Sequence, residues 1–143
     1  MPYCRLVEVR PEDIDELGHA GNLVYVRWVL EAALAHSAAV GLDWAAYLAR
    51  RGAWVVRSHE IHYLRPALAG ERLQVETRVA TMAAANSLRR TRILRASDSV
   101  ELCRATTDWA FLDLDRGRPR RIPDDIRSRF PIEPDQPPLI ESR

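Results

Sequence analysis

Within thirteen residues, Asp13 to Tyr25, the chain places Asp13, Asp15, His19 and Asn22, with Gly18 and Gly21 between them. A carboxylate can serve as a general base or attack directly. Glycines let the chain bend sharply and let a ligand come close to the backbone. A long apolar run begins immediately afterwards, and Asn22 has the side chain of a helix N-cap. The stretch is therefore expected to be a polar loop delivered onto the start of a buried helix. Such a start carries unpaired amides and partial positive charge, which suits a developing oxyanion.

These groups need a frame to hold them. Tyr3 to Val9 alternates and reads as a short strand stopped by Pro11. From Leu23 the period changes: Leu23, Val26, Leu30, Ala33, Leu34, Ser37 and Val40 recur at three- and four-residue steps. That predicts a helix of about 18 residues, about 27 Å long. Its other face, with Val24, Ala32, Ala35 and Ala39, is only mildly polar, so the helix should be wrapped by something. Gly41 is expected at C′, with Leu42 making the accompanying apolar contact. Asp43 to Arg51 reads as a second helix capped by Asp43 and ended by Gly52. Strands are predicted over 54–64, 72–81, 87–96 and 100–113, with a turn at 115–118 and a short helix at 124–130. The order is strand, helix, then four antiparallel strands joined by short turns. One sheet of five strands must bury a face, and the apolar helix is its obvious partner, which gives an α+β domain. It is expected to span residues 1–130, with a Pro-rich tail at 131–143, extended or disordered.

Composition narrows the class. The chain has 143 residues, 47% of them hydrophobic, and a formal net charge of +1. That argues for one domain and against nucleic acid as a bulk electrostatic partner. All 21 basic residues are Arg. Cys4 and Cys103 stand far apart and are expected to be free thiols. With no leader pattern and no membrane-length apolar segment, the expectation is a soluble, cytoplasmic protein without membrane contact. His59 and His62, three apart on a strand, should face opposite ways and make no joint metal site, and His36 is expected on the helix surface. The Asp-x-Asp pair lacks the further ligands of a calcium loop, so no metal is expected.

Asp13-x-Asp15-x-x-Gly18-His19-x-x-Asn22-x-x-Tyr25, with Arg10 before it and Trp28 after it, resembles the signature of the 4-hydroxybenzoyl-CoA thioesterase family. A second segment, Tyr63-x-x-Pro66 with Gly70, resembles the turn that joins two strands in that family. The resemblance covers roughly residues 3 to 130. It implies a hot-dog fold, a five-stranded antiparallel sheet wrapped around one long central helix, and hydrolysis of an acyl-CoA thioester without a cofactor. By the same resemblance Asp15 matches the catalytic carboxylate, as nucleophile or base, and Asp13 is the structural one. His19 and Asn22 would assist at the thioester. The oxyanion donors would be among the backbone amides of Ala20, Gly21, Asn22 and Leu23, with substrate contacts from Gly18 and from Tyr25, for which core packing is the competing role. Glu31 is the reserve carboxylate.

Arg89, Arg90 and Arg92, on one strand with Arg95, are weak candidates for the coenzyme A phosphates, split by alternation between two faces. A homodimer or homotetramer is expected, because an open sheet leaves pairing edges. Two other readings remain open: a non-catalytic acyl-CoA-binding module, and a hot-dog enoyl-CoA hydratase or dehydratase using His19 with Asp15. The acyl group, and the choice between coenzyme A and acyl carrier protein, are not set by these residues.

Overall fold

In Arg72–Val79 the inward positions Leu73, Val75, Thr77 and Val79 are all buried, and the residues between them are more exposed. This period of two makes the segment a strand with one face on a core. The computed structural model describes residues 1–135, and in it the segment is the third of five long strands. They are β1 (Tyr3–Glu8), β2 (Gly52–Tyr63), β3 (Arg72–Val79), β4 (Asn86–Arg95) and β5 (Glu101–Asp113), with a two-residue β6 (Arg118–Pro119) against β5. Three helices complete the chain: α1 (Asn22–Ala39), α2 (Trp44–Ala49) and α3 (Asp124–Arg127). No helix among the described residues is long and apolar enough to cross a membrane.

All strand pairs are antiparallel, in the order β1-β3-β4-β5-β2. The four later strands are therefore not a simple meander. β2 lies on the edge opposite β1 and pairs only with β5, and the loop 64–71 carries the chain back across to β3. The 115–118 turn is longer in effect than expected, since it returns as β6.

The sheet curls around α1, which is the hot-dog architecture. The helix has the expected length, but its buried face is not the expected stripe. Tyr25, Trp28, Val29, Ala32, Ala33 and Ser37 are buried, whereas Leu23 is 83% and Leu34 64% exposed. Both faces are apolar, so spacing alone did not decide which would meet the sheet. The inner half of the core joins Trp28, Val29 and Ala32 to Val75, Ile93 and Cys103. A second cluster joins Leu42, Tyr47, Phe111, Ile122, Ile126 and Phe130 at the far end of the helix. Each such side chain, fully buried, contributes about 1.5–3 kcal/mol.

The helix ends follow local chemistry. Gly41, at φ +86°, closes α1: its N–H donates to Ala38 O and that of Leu42 to Ser37 O, a Schellman arrangement. Asp43 caps α2 by accepting from the Ala46 N–H at 2.9 Å. Arg51, not Gly52, takes the left-handed conformation after α2 (φ +52°). Gly52 is needed for space, because a Cβ there would lie 2.5 Å from Phe111 Cζ. At the start of α1 the cap is Gly21 and not Asn22; Asn22 is the first helical residue and its side chain makes no cap bond. Of the tail, residues 131–135 lie along the sheet: Glu133 N–H donates to Val79 O, and Asp135 pairs with Arg78 and Arg90. The rest of the tail lies outside the described residues.

Candidate active site at the start of the central helix

The loop before α1 is built on Asp13. Its side chain is 2% exposed. Oδ2 accepts the Arg10 N–H and Oδ1 accepts from Arg27 on α1, both at 2.9 Å. Burial pushes the Asp13 carboxyl up, but the Arg10 amide and the Arg27 guanidinium outweigh it and hold it below its ordinary 3.8. Asp13 is thus structural, and its helix partner Arg27 is a site residue that spacing along the sequence did not reveal. Beyond it, Ile14 bridges to Ala20 and the Asp15 N–H donates to His19 O, which closes a tight turn through Gly18 at φ +83°.

Asp15 stands at the mouth of this turn, its side chain 37% exposed. Oδ1 accepts the Leu17 N–H at 2.9 Å. Oδ2 has no hydrogen-bond partner among the described residues and lies near Gly21, which caps α1. A Cβ built on Gly21 would sit 4.0 Å from Asp15 Oδ2 and 3.8 Å from Asp15 Cβ. Glycine at the cap therefore leaves open the space between the acid and the helix start. His19 Nδ1 lies 4.0 Å from Asp15 Oδ1 and 3.3 Å from Ala20 O, so it flanks the acid without a close bond to it.

The four amides expected to hold an oxyanion divide into two pairs. Ala20 N–H donates to Ala67 O, and Gly21 N–H to Asp13 O. Both are used in holding the loop and are withdrawn as oxyanion donors. The amides of Asn22 and Leu23, in the first turn of α1, have no acceptor among the described residues. Unpaired N–H groups at that position are where helix geometry leaves them.

Tyr25 does not line the opening. It is buried, and its hydroxyl accepts the Ala67 N–H at 3.0 Å. Ala67, itself fully buried, joins loop 64–71 to the loop before α1 through its carbonyl and to α1 through its N–H. Tyr63 adds to this by donating to Asn22 O at 3.2 Å and packing edge-on against Tyr25. The second motif is therefore the support of the first. Ala67 gave no sequence signal of its own, because its role is carried by backbone atoms. Glu31 is held by Arg5 and Arg27 and points to no opening beside Asp15.

The strand arginines do not converge on Asp15. Arg89 turns into the interior and is 7% exposed, so it is not a surface contact for a phosphate. Arg90 and Arg92 lie on the outer face, paired with Asp135 at 2.7 Å and Glu101 at 3.3 Å. His36 is not a surface residue: it is half-buried, stacks on Tyr3 and accepts from Arg89 at 2.8 Å. Burial, then the Arg89 charge, lowers its pKa to about 4. His59 reaches Thr107 while His62 reaches Glu60, so the two do not meet. No cluster of three or more His, Cys, Asp or Glu fit to hold a metal occurs among the described residues. Cys103 is buried and its thiol is pushed up to about 12, which leaves it inert.

Comparison with known proteins places this geometry. No curated protein matches the chain. Among solved structures, it is similar to a 1,4-dihydroxy-2-naphthoyl-CoA thioesterase from Synechocystis (18% identity, 90% of this chain and 95% of that one, TM-score 0.83). It is similar to a hypothetical protein from Thermus thermophilus (26% identity, 90% and 96%, TM-score 0.82). It is also similar to a Staphylococcus aureus protein solved in complex with CoA (12% identity, 90% and 81%, TM-score 0.85). The family model of the thioesterase-like superfamily matches residues 9–130, which take in the Asp15 loop, α1 and all of the sheet but β1. On that match, the chain belongs to the thioesterase-like superfamily.

Proposed function

We propose that the protein is an acyl-CoA thioesterase, releasing a free acid and coenzyme A, with Asp15 as the reacting carboxylate. One observation carries the reading: the unbonded Oδ2 of Asp15 lies beside Gly21, the cap of α1, and the next two residues in the chain, Asn22 and Leu23, carry unclaimed amides. A thioester carbonyl placed there has an acid on one side and two N–H donors for its oxygen on the other. Asp15 attacks the carbonyl carbon or takes a proton from the attacking water. The carbon–oxygen bond forms, negative charge collects on the carbonyl oxygen beside the helix tip, and the carbon–sulfur bond then breaks. The sulfur leaves with the electron pair. Where Asp15 is the base, the proton it took from the water passes to the sulfur. Where Asp15 attacks, a water then splits the acyl–Asp15 anhydride, which frees the acid, restores the carboxylate and gives the sulfur its proton. His19, beside the acid, orients the thioester. The CoA complex of the Staphylococcus neighbour supports a CoA-type ligand.

The site is open on one side, where Leu17 is 78% and Leu23 83% exposed. β2 also leaves a twelve-residue strand unpaired along its outer edge, with Val55 and Val56 exposed. Exposed apolar groups beside an unpaired edge favour a second copy of the chain as cover, so the working enzyme is proposed to be a homodimer or a larger homo-oligomer.

The test is thiol release from a panel of aromatic, short-chain and long-chain acyl-CoA thioesters, with Asp15→Ala as control. Release that depends on Asp15 is expected for at least one group. Tight acyl-CoA binding without release from any of them would make the protein a binding module instead.

A further inference from the structure

The far end of α1 closes over a cavity of about 130 Å³, open to solvent on one side. Its walls include Ser37 of α1, Tyr47 of α2, Trp54 of β2, Trp109 of β5 and Phe130, and Arg89 of β4 enters it from the sheet. It is mostly apolar and aromatic. Three of its neutral polar groups form a relay: Trp54 Nε1–H donates to Tyr47 OH, which donates to Ser37 Oγ, which donates to Leu42 O.

Arg89 does not fit that wall as a structural residue. Its side chain is buried, yet among the described residues no carboxylate lies within ion-pairing distance of it. Nη1 donates to two neutral acceptors, His36 Nδ1 at 2.8 Å and Thr77 Oγ1 at 3.1 Å. Nε and Nη2 have no partner among the described residues. The guanidinium carbon lies over the Phe130 ring, 5.7 Å from its centroid, a cation–π contact and not an ion pair. Burial pulls its pKa down to about 10, so it remains a cation at neutral pH. The indole N–H of Trp109 on the same wall is also buried without an acceptor. A buried cation is disfavoured unless an anion meets it, and a guanidinium's planar fork matches a carboxylate. The size of the cavity suits one aromatic ring or a short alkyl chain.

We infer that this cavity binds a small organic carboxylate with an aryl or short alkyl body, its carboxylate paired in plane with Arg89. The site is distinct within the chain from the Asp15 loop: the sixteen residues from Asn22 to Ser37 span about 22 Å of helix. The inference does not depend on hydrolysis at Asp15.

Calorimetric titration with 3-phenylpropanoate and with 3-phenylpropanamide tests it, on the wild type, Arg89→Met and Asp15→Asn. The wild type is expected to bind the acid roughly tenfold or more tighter than the amide. Arg89→Met should lose that preference, and Asp15→Asn should keep it. Replacing a buried cation by an apolar chain of similar length is commonly tolerated. A second readout on the wild type needs no variant: acid titration should move the indole N–H resonance of Trp109 and leave that of Trp28 in place. Equal affinity for acid and amide, acid preference that survives Arg89→Met but not Asp15→Asn, or shifts confined to Trp28 would each overturn the inference.

Discussion

At the N-terminal end of α1, negative charge is compensated inside the loop. Asp13 is buried between a backbone N–H and Arg27, and Asp15 keeps an oxygen free of hydrogen bonds beside the residue that caps α1. At the C-terminal end the buried charge is positive, and among the described residues no carboxylate pairs with it: Arg89 donates to neutral His36 and Thr77. The first end is open, polar and lined by backbone amides. The second is recessed and aromatic, and the hydroxyls of Ser37, Tyr47 and Ser87 on its wall are held in hydrogen bonds. One helix thus supports two environments, one suited to attack on a carbonyl and one suited to holding an anion. The difference arises from what each end buries, since both ends of α1 are apolar in sequence.

Stability measurements can break or sharpen that contrast. The largest effect is expected from Asp13→Ala, which strands the Arg10 amide and the Arg27 guanidinium. The loss should be about 3 kcal/mol, on the order of 10 °C in Tm by thermal melting. A melt unchanged within error would show that Asp13 does not organise the loop. At the other end, Gly52→Ala drives a Cβ into Phe111 and should cost about 2 kcal/mol in denaturant unfolding.

The two ends should also titrate in different windows. His36 has a folded pKa of about 4 against 6.5 unfolded, with burial and then Arg89 disfavouring its protonation and Glu133 favouring it. Between those values the unfolded chain binds more protons, so stability should fall as pH drops from 6.5 towards 4. Discounted for the solvent that reaches a half-buried ring, the loss is roughly 1–2 kcal/mol, and His36→Gln should flatten it. Asp13 behaves otherwise. Its folded pKa is depressed, so its contribution is present above 3.8 and is lost only below that pH. The smallest effect belongs to Asn22→Ala, expected within about 0.5 kcal/mol of the wild type, because Gly21 holds the cap position. A loss above 1 kcal/mol, the usual size for a removed cap, would restore Asn22 to that role.

Much of this frame was legible in the residues, for reasons that are local. Gly41 ends α1 because a left-handed residue is needed there, and β3 alternates because one of its faces is buried. What failed to show depended on contacts distant in sequence. The side of α1 that meets the sheet depends on Val75 and Ile93, and periodicity had no polar face to work from. The edge position of β2 depends on its pairing with β5, which short turns did not foreshadow. Within the site, Asp13 and Asp15 are alike as residues; only Arg27, fourteen positions on from Asp13, tells the buried acid from the open one. Alternation said that the strand arginines would split, but not that Arg89 would be the one inside.

The central claim is that Asp15 at the tip of α1 performs the hydrolysis. Its most direct test is kcat/KM for thiol release by Asp15→Asn on the best acyl-CoA of the panel, with Tm measured on the same sample. The account predicts a fall of about 100-fold or more at an unchanged Tm, since the side chain is partly exposed and makes only a local bond to Leu17. Turnover within a few-fold of the wild type would contradict it.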